Sequence, residues 1–430
     1  MARITKWFGF SLLVVALLGL SAFLGGLPGR ETTAAVPDPV NSLQDSEYII
    51  LAWNDLGMHC YNADFADLAV LPPFNTLWAQ VLHVADPPEV ITNGITVSYH
   101  FPDNTYSVGK TNFWDYEDAL FGVNLPPNVG LAGKGLSGEM DLDGDHFIAE
   151  GIPLTEYRDS NLVDPYPYQL ATITVYDTAS GTELASLPVV APVSSEMHCD
   201  NCHYDHGVPG IATGKVETNI LLLHDREHED DYPPGHDIPL MDRRPILCAE
   251  CHPSNALGAP GLPEMPSLSK AMHDAHEDEV SNDLDGCYNC HPGPETQCLR
   301  DTMYQQGMEC IDCHGTMEDV ANNPDPWLNE PRCDTDDCHG SAYAQDQALY
   351  RMSSEHGGVY CAACHDSPHA IAPSLEPNDG LKFIALQGHT GTLSNCTTCH
   401  ATPPTGEGPH GIIIPGDLNP VLYLPVVIRS

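Results

Sequence analysis

Fourteen of the sixteen cysteines fall into seven pairs, and a histidine follows each pair at once. Six pairs have two residues between the thiols: Cys199 and Cys202 before His203, Cys248 and Cys251 before His252, Cys287 and Cys290 before His291, Cys310 and Cys313 before His314, Cys361 and Cys364 before His365, and Cys396 and Cys399 before His400. The seventh, Cys333 and Cys338 before His339, has four residues between them.

Two thiols at this spacing can add to the two vinyl groups of one haem, and the next residue then presents its imidazole to the iron. A four-residue spacer can loop out and still offer both thiols. Other chemistries fit less well. Zinc needs three or four ligands at one point, which calls for a second cysteine pair or matched histidines. A thioredoxin-type site uses one such pair on a βαβ unit. A disulfide framework has no use for a histidine after every second cysteine. Cys60 and Cys298 are left over, and in an oxidising compartment they can pair and tie two parts of the chain together.

An iron held by one histidine has a second face to fill. The candidate distal ligands are His206, His224, His228, His273, His276, His356 and His389, with His198, His369 and His410 in reserve. His224 and His228 lie one helical turn apart, as do His273 and His276, so each pair can serve two neighbouring haems from one helix. Residues 267–280 read as one such helix. Met197, Met241, Met272, Met303, Met308, Met317 and Met352 are the competing ligands, and methionine would raise the potential. The surplus of histidine predicts mostly bis-histidine irons.

Seven motifs within residues 199–400 leave about 30 residues per haem, too few for each to have a separate core. The expectation is therefore a domain of short helices and loops, residues 194–410, wrapped around haems that pack on one another. Residues 36–193 are different. Alternating apolar runs predict strands at Tyr48–Trp53, Leu77–Val84, Ile95–Phe101, Leu170–Tyr176 and Glu183–Val190, the last two around a hairpin at 178–182. This reads as an all-β, sandwich-like domain for docking or scaffolding, with no catalytic constellation. Within it, Glu139, Asp141, Asp143, Asp145 and Glu150 occupy positions 1, 3, 5, 7 and 12 of a loop with Gly144 at position 6, a pattern resembling a calcium loop, although an acidic turn is the simpler reading.

Residues 1–35 read as a signal peptide or N-terminal anchor: Arg3 and Lys6 precede an apolar run of roughly 20 residues. That puts the folded part outside the cytoplasm, in the periplasm, at the cell surface or beyond. Residues 411–430 form an apolar tail. With 60 acidic and 16 basic residues the formal charge is -44, which excludes nucleic acid as a partner and favours basic proteins or cations.

The seven motifs resemble those of exported multihaem c-type cytochromes. Three further stretches, 53–60, 151–155 and 193–197, resemble a subgroup in which a β-rich domain precedes the haems. The resemblance implies about seven haem c groups, electron transfer to partner proteins such as other multihaem cytochromes, extracellular metal or mineral acceptors, and, in some members, self-assembly into filaments. Relatives that reduce nitrite replace a proximal histidine with lysine. No Cys-x-x-Cys-Lys occurs here, so a carrier is expected ahead of a reductase of a small nitrogen or sulfur oxyanion.

Overall fold

The computed structural model describes residues 46–204, 212–228, 230, 232–236, 238–411 and, as backbone, 413–414. The expected leader, the C-terminal tail and His206 lie outside the described residues.

The first half is built from β1 (Tyr48–Asn54), β2 (His59–Cys60), β3 (Leu68–Ala69), β4 (Asn75–His83), β5 (Glu89–Val90), β6 (Ile95–His100), β7 (Ser137–Glu139), β8 (Asp141–Asp143), β9 (His146–Ile152), β10 (Tyr168–Asp177) and β11 (Glu183–Ser194), with one helix, α1 (Phe113–Phe121). One sheet runs β1-β4-β9-β8 with β5 on the free part of β4. The other runs β2-β11-β10-β6-β7. All pairings in the two sheets are antiparallel except β2 with β11. Apolar residues of both sheets, among them Ile49, Leu51, Leu77, Val97, Phe147, Ile173 and Leu187, share one core. The five expected strands are all present, one to four residues longer or shorter at their ends.

β4 is buried along nearly its whole length, on both faces. A strand of a two-layer sandwich would show water on one face. Here the second half of the chain supplies the missing cover: Tyr360 packs its ring 5.4 Å from Trp53 and 5.7 Å from Trp78, and Ala362, Ala363, Ala385 and Leu386 join the same core. The expected boundary near residue 193 is thus an interlocked one, and the described residues lie within one compact unit.

The acidic stretch 139–150 is a hairpin in which Asp143 faces His146 across a turn containing Gly144, whose φ of +63° suits glycine. Extended strands spread the carboxylates of Glu139, Asp141, Asp143, Asp145 and Glu150 apart instead of wrapping them round a point. Asp141 pairs with Lys134 at 2.8 Å and Asp145 accepts from the Tyr360 hydroxyl at 3.0 Å. Among the described residues no group of three or more metal-capable side chains converges.

The second half consists of short helices: α2 (Val216–His228), α3 (Leu268–His276), α4 (Leu284–Cys287), α5 (Thr302–Gln305), α6 (Cys310–His314), α7 (Met317–Asn322), α8 (Cys361–His365) and α9 (Leu381–Gln387). Two-residue strands β12 (Ile246–Leu247), β13 (Ser354–Glu355) and β14 (Val359–Tyr360) lie among them. β12 pairs in parallel with β3 of the first half. No helix among the described residues is long and apolar enough to cross a membrane.

Candidate functional site

Each motif is a single tight turn that fixes the histidine relative to its own cysteines. The backbone N–H of His203 donates to the Cys199 carbonyl at 2.8 Å, His252 to Cys248 at 3.0 Å, His291 to Cys287 at 2.9 Å and His400 to Cys396 at 3.0 Å. The motifs at 310 and 361 are themselves helical turns, α6 and α8. In the longer motif the same bond survives: His339 N–H donates to Cys333 at 3.1 Å, while Cys338 and Gly340 donate to the Thr335 carbonyl at 3.0 and 2.9 Å. The two additional residues are absorbed in an inner turn, and the relation of histidine to first cysteine is kept.

Among the described residues, six of the seven motif histidines face a second imidazole. The ring centroids are 6.1 Å apart for His203 and His276, 6.4 Å for His252 and His224, 6.3 Å for His291 and His273, 6.1 Å for His314 and His369, 5.9 Å for His365 and His410, and 6.1 Å for His400 and His356. With metal–nitrogen bonds of about 2 Å and roughly 1 Å from nitrogen to ring centre, two imidazoles on opposite sides of one metal have centroids about 6 Å apart. Direct stacking would bring them closer, as Trp78 and His146 show at 4.2 Å. The pairs therefore fit an axially ligated iron. Each contributes two ligands, which suits a group that brings its own in-plane nitrogens.

In four of the paired rings a tied nitrogen points the same way. Nδ1–H donates to the Ser269 carbonyl at 2.7 Å in His273, to Met272 at 2.6 Å in His276 and to Pro266 at 3.0 Å in His252. His224 Nδ1 lies 3.2 Å from the Tyr232 hydroxyl. A fixed Nδ1 leaves Nε2 for a metal and sets the ring orientation. Burial first, and then a neighbouring imidazole, lower His224, His291, His365 and His369, which favours the neutral ring that ligation requires. His291 and His365 are pushed down to about 4 and His369 to about 3.

Most motif thiols are held in the opposite sense. Burial pushes Cys199 and Cys248 up to about 11 and Cys361 and Cys364 up to about 12. Zinc takes thiolates, so this setting disfavours a zinc centre there. Cys287 departs from the rest, lowered by its hydrogen bond with Cys310.

Of the expected distal residues, His224, His273, His276 and His356 stand opposite motif histidines. The single helix α3 places His276 and His273 opposite two motif histidines, His203 and His291. His228 lies 5.0 Å from His224, and His389 is exposed with Nδ1 on the Thr390 carbonyl at 2.9 Å; neither ring faces a motif histidine among the described contacts. Two reserves, His369 and His410, take their places. Sequence periodicity could not rank them, because both sit in turns with positive φ, 62° and 57°, rather than on a helix. His198 is held by Glu196 and the Gly293 carbonyl, each at 3.0 Å. Cys60 and Cys298 are half-buried free thiols in this structure, and desolvation first, then the neighbouring Cys298, pushes Cys60 up to about 12.

The stretch 53–60 proves to be a docking element. Asn54 Oδ1 accepts from the N–H groups of Leu56 and Gly57 at 3.2 and 2.8 Å, and the Asn54 carbonyl accepts from Ser367 Oγ at 2.6 Å. Gly57, at φ +75°, lies so close to the chain that an added Cβ would meet the Pro368 carbonyl at 1.8 Å. That contact seats the turn carrying His369. Gln80 likewise holds the loop after His356, donating to the Gly358 carbonyl at 2.9 Å and accepting from Tyr360 N–H at 3.2 Å.

Residues 327–401 match the family described as cytochrome c7 and related cytochrome c. That match, over three of the motifs, supports a multihaem c-type cytochrome with covalently bound haem c and electron transfer as its general activity. No curated protein and no solved structure matches the chain.

Proposed function

We propose that each of the seven motifs holds one haem c, and that the chain carries electrons along the row between periplasmic or cell-surface partners and an extracellular acceptor. The six opposed imidazole pairs are the observation that carries this reading. Haem supplies reversible one-electron chemistry when bound; the chain decides where it sits and what surrounds it.

Shared elements support one spatial order. α2 reaches His203 through Asn219 and faces His252 with His224. α3 joins the motifs at 199 and 287. Cys287 and Cys310 hydrogen-bond, and Cys313 and Cys338 feel each other's charge, as do Cys333 and Cys361, then Cys364 and Cys399. The row therefore runs 248, 199, 287, 310, 333, 361, 396, in sequence order except for the first two. Two imidazoles and a strongly acidic chain both favour the ferric state and low potentials.

The test is a redox titration of the matured protein followed by EPR. Mostly low-spin irons with low, spread potentials are expected; a set of high-spin irons throughout would overturn the reading of the pairs. A second reading, a multihaem reductase, is favoured at one motif alone, that of His339.

A further inference from the structure

We propose that the haem on Cys333, Cys338 and His339 keeps one axial position open to a small uncharged lone-pair donor, such as a diatomic gas or an amine. The inference rests on the haem reading above and concerns what one site binds.

At the other six motifs the facing ring is an imidazole. At His339 it is the phenol of Tyr343, with centroids 5.8 Å apart and planes at 63°. A phenol oxygen on the metal would place the ring centre about 8 Å from that of the imidazole, since the centre lies roughly 3 Å behind the oxygen and the bonds are about 2 Å. Tyr343 therefore packs beside the site without ligating it. Among the described residues, the other imidazoles whose charge bears on His339 are those of His410 and His365. The ring of His410 faces His365, its backbone N–H donates to Glu355 at 3.3 Å, and Tyr343 lies against it at 5.0 Å. Among the described residues, His198 is committed to Glu196 and Gly293, and His389 turns to its own neighbour's carbonyl in the open.

Access and charge favour the same site. Asp336, Asp337 and Cys338 are exposed, as are Ser341 and Ala342 next to Tyr343. Three aspartates, Asp334, Asp336 and Asp337, stand in the loop, and the guanidinium of Arg332 is taken up by Asp334 at 2.8 Å. A negative rim with its one cation neutralised repels anions and admits neutral molecules. The motif lies inside the row, so electrons can reach it from either side.

Carbon monoxide is the probe, used on the full-length chain matured with haem. The oxidised protein should show a high-spin ferric EPR signal from one iron in seven, and the reduced protein should take up one equivalent of carbon monoxide. Replacing both thiols, Cys333→Ala with Cys338→Ala, should lower the mass by one haem and abolish uptake while the low-spin signals persist. Should that variant fail to accumulate, the unmodified protein decides alone. Seven low-spin irons with no uptake would overturn the inference and leave the haem reading intact. Uptake surviving in the double variant would overturn it too, by placing the open iron elsewhere. A colourless protein would overturn both.

Discussion

His356, His369 and His410 adopt φ of 29°, 62° and 57°, a region that side chains other than glycine seldom occupy. Such strain costs about 1–3 kcal/mol per residue and persists where surroundings over-determine it. All three face motif histidines, the placement that the proposed ligation needs. For His369 the surroundings are explicit: its carbonyl accepts from Arg300 N–H at 3.0 Å, and Gly57 packs on the preceding proline. His369→Ala should convert one iron from low-spin to high-spin in EPR, with haem content by mass unchanged. Arg300 itself is 1 % exposed, forks onto Asp379 at 2.8 and 3.1 Å, and donates to the Gly57 and Cys298 carbonyls. Removing one partner of such a buried pair strands the other, so Arg300→Met should cost about 3–5 kcal/mol, read as a lowered denaturation midpoint. The motif cysteines and histidines were legible because haem attachment demands a fixed local spacing. The imidazoles that face them come from other parts of the chain. Those on helices, His224, His273 and His276, left a periodic trace; His369 and His410 left none, because their positions depend on contacts with Gly57 and Glu355 far away in sequence.

At the scale of elements, α3 carries the most consequence per residue. It is nine residues long, capped by Ser267, whose Oγ accepts from Lys270 N–H at 3.1 Å, and it presents His273 and His276 to two motifs. An isolated helix of this length is unstable in water, so the cap and the contacts of α7 matter. Ser267→Ala should cost about 1 kcal/mol and should perturb two haem signals together in a redox titration, where a change at one motif turn would perturb one. The β strands were readable from alternation, since one face of most of them is buried. The hairpin β8–β9 was not: its acidic residues match a calcium-loop spacing, and the pairing that straightens it comes from β4, some 70 residues earlier in the chain.

Across the whole molecule, the β-rich half is laid along the row of motifs. It meets the first end where Asp67 pairs with Lys215 and Arg244 and β3 pairs with β12, the middle at 54–57 and Gln80, and the last end where Asp86 accepts from Thr402 Oγ1 at 2.7 Å. Two separate domains were expected from composition, and composition cannot register that β1 and β4 need cover on a second face. The -44 charge of the whole gives a further expectation: electron exchange with a basic partner should slow as ionic strength rises, since a Debye length of about 30 Å at 0.01 M shrinks to about 8 Å at 0.15 M. Stopped-flow rates across that salt range check it, and a rate indifferent to salt would remove charge from the account of docking. The central claim is more direct. It is that each motif in this chain carries its own thioether-bound haem. Intact mass of the chain matured in a competent host should equal the polypeptide plus seven haems, with the Soret absorbance to match; a mass equal to the bare polypeptide would contradict it.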